Sequence, residues 1–467
     1  MSGQAERSPW TTLGALCFGF FMLLADMTIV AVANPAIMAE LHTGVSTVVW
    51  VTSAYLLAYA VPLLVTGRLG DQFGPKVIYL VGLVVFTLAS LGCGLSSSIT
   101  MLIVARAVQG IGAALMTPQT MAVITRIFPA DKRGAAMGAW GSVAGVASLI
   151  GPIIGGVLVD GLGWKWIFLV NVPIGVLAFV LAVIYVPNLP THRHRFDLPS
   201  VALSVGGMFL LAFGIQQGNT DDWSARIWLC VGAGVVLLAA FLAVQARDSG
   251  EPLVPLSLFR DRNFALSTLA MTAMGVATTA MMLPGYFYLE SVRGMKPTAA
   301  ATVWIVMAFL TALLSPVVGK LVDHVHPRVV PTVGFAGFAV GIAWFGLVLK
   351  PETPLWQLLL PLVCMGAANA CVWSPLAAIA TYGLPMHQAG VGAGVYNTAR
   401  QVGLVLGSAG AGALLSARSA FNAALSQSMV LPSAVLIIGI AACLLLGHRT
   451  PAPSPAAPAQ ETADALG

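Results

Sequence analysis

The sequence predicts an all-α integral membrane protein: two six-helix bundles with two helices inserted between them. That makes fourteen transmembrane helices, with both termini cytoplasmic. Three observations carry the prediction. First, 58% of the 467 residues are hydrophobic and only 8% are charged, with a mean hydropathy of +0.90. A soluble domain carries about 25% charged residues, so this chain cannot coat a water-facing surface. Second, apolar stretches of bilayer-crossing length follow one another from end to end. Third, short patterns in the first half recur in the same order in the second. The composition excludes a soluble enzyme, a nucleic-acid binder and a disordered chain.

The stretches fall near 12–34, 47–67, 77–96, 100–125, 134–158 and 166–186. Two follow near 198–217 and 226–246, then six near 264–289, 298–321, 329–349, 355–381, 389–416 and 428–447. Helices are expected, because an open sheet would leave backbone groups unpaired in lipid. The organisation read from this is a six-helix bundle over 1–190, the inserted pair and a cytoplasmic connection over 191–262, a second bundle over 263–448, and a Pro/Ala-rich disordered tail over 449–467. The first span reads as a membrane helix and not as a cleaved signal, being too long for an h-region.

Orientation follows from the basic residues. With both termini inside, fourteen of the 22 Lys and Arg lie in cytoplasmic segments, six lie outside, and Arg106 and Arg400 sit within spans. That is a positive-inside bias. The run His192-Arg193-His194-Arg195 reads as a cytoplasmic anchor. The six cysteines all lie in apolar runs without a CxxC pair, so they read as packing residues and neither metal ligands nor disulfides.

Gly67-Arg68-Leu69-Gly70-Asp71 recurs as Gly319-Lys320-Leu321-Val322-Asp323, 252 residues later. At an offset of 256, Gly134, Gly138, Gly151 and Gly156 meet Gly390, Gly394, Gly407 and Gly412. Internal repeats in a polytopic chain mark an alternating-access transporter, with its site between the halves near the midplane.

Intramembrane charge is costly, at least ~2.5–3.5 kcal/mol per group at the bilayer centre, so each such residue needs a reason. Asp26 reads as a proton carrier, or else as one member of a helix-packing pair or a residue near the outer interface. Arg106 stays cationic at any working pH and reads as its partner, or as part of a structural ion pair. Gln109 follows on the same helix face. Asn397, Arg400 and Gln401 share a face of the thirteenth span, and with Gln109 they are candidates for the cavity wall. Tyr286 and Glu290, near the outer end of the ninth span, complete the set, either as cavity groups or as an interfacial belt. Gly141, Gly145, Gly151, Pro152, Gly155 and Gly156 give the fifth span small residues for close helix approach and a kink. No Walker motif, HExxH, His/Cys cluster or GxSxG elbow is present, so neither an enzyme nor a metal or other cofactor is expected.

These residues resemble the major facilitator superfamily, and within it the fourteen-helix drug:proton antiporter branch. Gly67 through Gly74 and Lys76 resembles the superfamily's loop motif, with Gln72 and Pro75 in place of two usual basic positions. The resemblance implies gating roles for Gly67, Asp71, Gly74 and Lys76. Arg106-Ala107-Val108-Gln109-Gly110 resembles a fourth-helix motif tied to proton transfer. Gly141 to Gly156 resembles a fifth-helix motif of antiporters. Asp26-Met27-Thr28-Ile29-Val30, Trp164-Lys165-Trp166-Ile167-Phe168 with Asn171, Pro173 and Gly175, and Asn397 to Gly403 resemble stretches of the fourteen-helix branch. The expected function is proton-coupled export of hydrophobic or amphipathic drugs or antibiotics by a monomer in a bacterial cytoplasmic membrane. The expected partners are a small-molecule substrate, protons and the lipid bilayer, without nucleic acid. A dedicated exporter of one metabolite or lipid is the alternative, and a non-transporting sensor or scaffold a more distant one.

Overall fold

The computed structural model describes residues 8–191, 198–218, 223–247, 252–295, 297–382, 384–385, 388–416 and 429–447. The His192–Arg195 run, the tail and the side chains of Pro152 and Glu290 lie outside that description. Among the described residues the regular elements are all helical. The first group is α1 (Pro9–Glu40), α2 (Val45–Ala60), α3 (Leu63–Phe73), α4 (Pro75–Gly94), α5 (Ile99–Ile127), α6 (Arg133–Leu162), α7 (Trp166–Leu169) and α8 (Asn171–Tyr185). Next come α9 (Leu198–Gly218) and α10 (Ala225–Arg247), packed on each other. The second group is α11 (Arg262–Phe287), α12 (Pro297–His324), α13 (Val329–Val348), α14 (Leu355–Ala370), α15 (Trp373–Tyr382), α16 (Ala389–Ser416) and α17 (Val430–Leu444).

Each expected stretch coincides with helix, but several are broken. The second span is α2 and α3, bent by 48° at Val61-Pro62. Proline removes a ladder donor and clashes with the preceding turn, so the helix restarts there. The sixth span divides into α7 and α8, and the twelfth into α14 and α15. Among the described residues, eleven helices are long and apolar enough to cross a membrane, or twelve with the bent pair as one span. Val430–Leu444 is a shorter apolar helix.

Local chemistry sets the boundaries. Gly74 joins α3 to α4 at φ 93°, a left-handed conformation that favours glycine, and Pro75 opens α4. Ser98 caps α5 by accepting from Met101 N, and Asp261 caps α11 by accepting from Phe264 N at 2.7 Å. Large apolar side chains such as Leu229, Leu347 and Val236 are exposed on the outside, as a bilayer requires.

The closest contacts between the groups are two helix pairs, with α5 on α16 and α6 on α15 beside them. In one, α3 packs on α16; in the other, α12 packs on α6. The repeats therefore face each other crosswise. Asp71 accepts from Gly390 N and Val391 N at 3.0 and 2.9 Å. Asp323 accepts from Gly134 N and Ala135 N, both at 2.9 Å. Each carboxylate thus sits at the N-terminus of a helix from the other half, where unpaired N–H groups and the helix dipole favour an anion. Glycine permits this approach: a side chain on Gly138 would strike the Gly319 backbone, and one on Gly394 the Leu63 carbonyl.

Candidate functional site

Two polar centres lie inside the bundle, and helix rotation separates them. The first is buried within the first group. Asp26 on α1 turns toward α4, α5 and α8. Its Oδ2 pairs with Arg106 Nη1 at 2.5 Å, and both side chains are fully buried. Its Oδ1 accepts from Asn171 Nδ2 at 2.9 Å and Gln109 Nε2 at 3.1 Å. Ser90 accepts from the same two amides at 3.1 and 3.2 Å and donates to the Phe168 carbonyl. Arg106 also donates to Gln109 Oε1 at 2.6 Å and to the Val51 carbonyl at 3.1 Å. Its guanidinium lies 4.2 Å from the centre of the Tyr55 ring.

Every partner of Asp26 here is a donor, which suits a carboxylate, an acceptor-only group. A buried pair of this kind offsets its desolvation only when its remaining donors and acceptors are satisfied. Ser90, Gln109 and Asn171 supply most of that satisfaction. Asn171, first residue of α8, and Ser90 were not among the residues singled out from the sequence as site groups. Their signal was a lone amide and a lone hydroxyl in apolar runs, and nothing local to them indicated the pairing.

The second centre is a cavity of about 1220 Å³ between the two groups. Met27 and Thr28, one and two residues beyond Asp26, line it. At about 100° per residue, consecutive helix positions face different ways, so Asp26 itself turns away. The cavity reaches from mid-bundle toward the end opposite Asp71 and Asp323, past Val32, Val157, Tyr286 and Thr302. Tyr286, Asn397 and Arg400 lie on its wall. Arg400 Nη2 donates to Tyr59 Oη at 3.1 Å, and its guanidinium lies 5.9 Å from the Trp373 ring centre.

Two expected wall residues belong elsewhere. Gln109 is fully buried in the Asp26 cluster, because its position three residues after Arg106 carries it to the same inward face. Gln401 turns toward α9, beside Met208 and Leu211, one residue having rotated it away from the Arg400 direction.

The glycines of α6 divide by neighbour. Gly141 abuts Ser374, and Gly145 abuts Ala308 and Ala312 in the second group. Gly151 and Gly155 pack on α1 at Ala25, Thr28 and Ile29. Gly156 has nothing within 4 Å of an added Cβ and faces the cavity, so it is not a close-packing position.

At the latch end, Gly67 and Asp71 sit in the α3–α16 contact, while Gly74 forms the turn described above. Lys76 donates to the Val183 carbonyl at 2.8 Å, a tie within its own group. Arg126, near the end of α5, forms an ion pair with Asp71. Arg133 Nη1 crosses to the second group, donating to the carbonyls of Thr381 and Tyr382 at 3.1 and 3.3 Å.

The Major Facilitator Superfamily profile matches residues 16–408. The chain belongs to the major facilitator superfamily. It is a multi-pass membrane transporter with the all-helical fold of that family. It is 50% identical over 470 residues to an uncharacterized MFS-type transporter of Mycobacterium tuberculosis, covering 94% of this chain and 81% of that one. It is 34% identical over 419 residues to the tetracenomycin C resistance and export protein of Streptomyces glaucescens, covering 89% and 78% respectively. Its fold matches that of the human organic anion transporter MFSD10 with TM-score 0.70 at 13% identity, over 94% of this chain and 100% of that one. At that identity the likeness is one of fold alone.

Proposed function

We propose that this transporter exports hydrophobic or amphipathic drugs or antibiotics across a bacterial cytoplasmic membrane in exchange for protons. The observation that carries the reading is the Asp26–Arg106 pair, fully buried one residue from the cavity wall at Met27. A structural role alone does not require a charge at that depth, where hydrophobic residues of similar volume are often as stable or more so. A carboxylate whose charge is held by one guanidinium and two amides is a two-state group. Protonation removes the charge that Arg106 pairs with and loosens α1 from α5.

The orientation follows from the positive-inside bias, which puts the latch end in the cytoplasm. The latches at Asp71 and Asp323 then close the cytoplasmic side, and the cavity faces outward. In this cycle outside protons load Asp26 as the substrate leaves, the halves rock, and the proton departs inside. One proton moving down 100 mV supplies about 2.3 kcal/mol, enough to drive a useful gradient with one or two protons.

The test is proton movement in everted vesicles energised to an acid lumen. Adding a transported compound is expected to alkalinise the lumen in wild type and to have no effect in Asp26→Asn. Wild-type exchange by Asp26→Asn removes Asp26 as the carrier. A dedicated exporter of one endogenous compound is the second reading, favoured by the 34% identity to a protein named for export of a single antibiotic. A substrate panel separates the two by breadth.

A further inference from the structure

The cavity carries a charge that the proton cycle leaves unexplained. Arg400 is the single charged residue among the described residues lining it, and none of those lining residues is acidic. Arg106, the other intramembrane arginine, has a carboxylate at 2.5 Å. Arg400 has none within ion-pair distance among the described residues. Its partners are the Tyr59 hydroxyl and the Trp373 ring, and its Nε is buried without a hydrogen-bond partner.

Nearby polar atoms repeat the pattern. The hydroxyls of Ser374 and Tyr396 are buried on the same wall, unpartnered, on residues 1% and 2% exposed. Tyr396 lies one helical turn before Arg400. Aromatic and thioether side chains, among them Trp140, Trp304, Trp373, Met27 and Met282, share the wall with small, aliphatic and hydroxyl residues. Phe20 stacks on Trp140 at 4.8 Å between ring centres, and Tyr286 lies against Trp304 at 5.6 Å.

We infer that this cavity takes amphipathic aromatic anions, compounds with a planar ring system and a carboxylate or acidic phenol, and that Arg400 binds their charge. Arg400 is half-buried, and a guanidinium cannot shed its proton, so a ligand that fills the cavity and excludes its water must offset that charge. No protein carboxylate among the described residues supplies a counterion, which leaves that place to the ligand. The fork of N–H donors fits a carboxylate in two parallel bonds. Hydroxyls of Ser374 and Tyr396 can donate to the same oxygens, and the aromatic walls take the ring. A lipophilic cation would meet Arg400 as a like charge with no acid among the described lining residues to balance it. The inference rests on reading the cavity as the transport site.

The test is equilibrium binding to the purified full chain in nanodiscs, without a proton gradient and with empty nanodiscs subtracted. The probes are 2-naphthoate, its neutral methyl ester and the trimethylammonium compound on the same ring. Wild type is expected to bind 2-naphthoate at least about tenfold tighter than either of the others, as a charge-assisted bidentate contact would give. Arg400→Gln is expected to remove that preference while still binding the ester. Arg400→Lys, which keeps charge without the fork, is expected to retain part of it and serves as the folding control. Equal or tighter binding of the cation overturns the inference. So does unchanged naphthoate affinity in Arg400→Gln, or no saturable naphthoate binding by wild type. If Arg400-dependent naphthoate binding appears but vesicles never exchange protons, the antiport reading fails and the anion site stands. Proton exchange driven equally by cations sinks the anion site alone.

Discussion

Asp71 and Asp323 occupy equivalent places in two crosswise contacts. Each accepts two successive backbone N–H groups from the first turn of a helix in the other half, at 2.9–3.0 Å. The 252-residue repeat thus appears in space as a pair of latches at one end of the cavity. Hydrogen bonds to a charged acceptor contribute about 1.5–3 kcal/mol each, so the two latches hold that end closed together.

Asp71→Ala is expected to raise hydrogen exchange at Gly390 and Val391 by roughly ten- to a hundredfold, the order that about 1.5–3 kcal/mol implies. Asp323→Ala is expected to do the same at Gly134 and Ala135. Peptide-resolved exchange of each variant reads both ends of the symmetry. Protection unchanged at the paired helix in either variant would show that its latch does not hold the closed end.

Removing one member of the Asp26–Arg106 pair leaves a buried charge alone. Asp26→Ala is therefore expected to destabilise the protein by about 3–5 kcal/mol, and Asp26→Ala with Arg106→Met by clearly less. Thermal unfolding in detergent checks this through the coupling between the two changes. Purely additive losses would mean that the pair is not energetically linked.

Glycines on one helix are expected to differ by neighbour. Gly138→Ala places a methyl within 2.6 Å of the Ser315 carbonyl and 2.9 Å of Gly319 Cα. It should block the latch and abolish export, since backbone cannot move aside cheaply. Gly156→Ala meets nothing within 4 Å and should export normally. Survival of cells on a transported antibiotic distinguishes the two, and equal resistance would remove the close-approach argument.

Gln109 bonds both members of the ion pair and lies off the cavity wall. Gln109→Ala is accordingly expected to leave substrate affinity within about twofold while impairing proton exchange in vesicles. A large loss of binding with coupling intact would return Gln109 to the cavity.

Much of this molecule was legible in one dimension. Lipid allows backbone to cross it as helix, so twenty-residue apolar runs announced the spans. The cost of burying charge made Asp26, Arg106 and Arg400 conspicuous among apolar neighbours. The recurrence of Gly67–Asp71 at Gly319–Asp323 announced two related halves. None of that sets the rotation of a helix about its own axis. In a soluble helix the polar face reveals that rotation, whereas here lipid-facing and core-facing sides are both apolar and the pattern is silent. Tertiary packing alone therefore decided that Asp26 meets Arg106 across 80 residues of chain, and that Asn171 and Ser90 complete their shell. The same packing turned Gln109 and Gln401 away from the cavity and left Arg400 in it. It also set the halves crosswise, so that each aspartate of the repeat caps a helix of the opposite half, where the unpaired N–H groups at that helix end attract a negative charge.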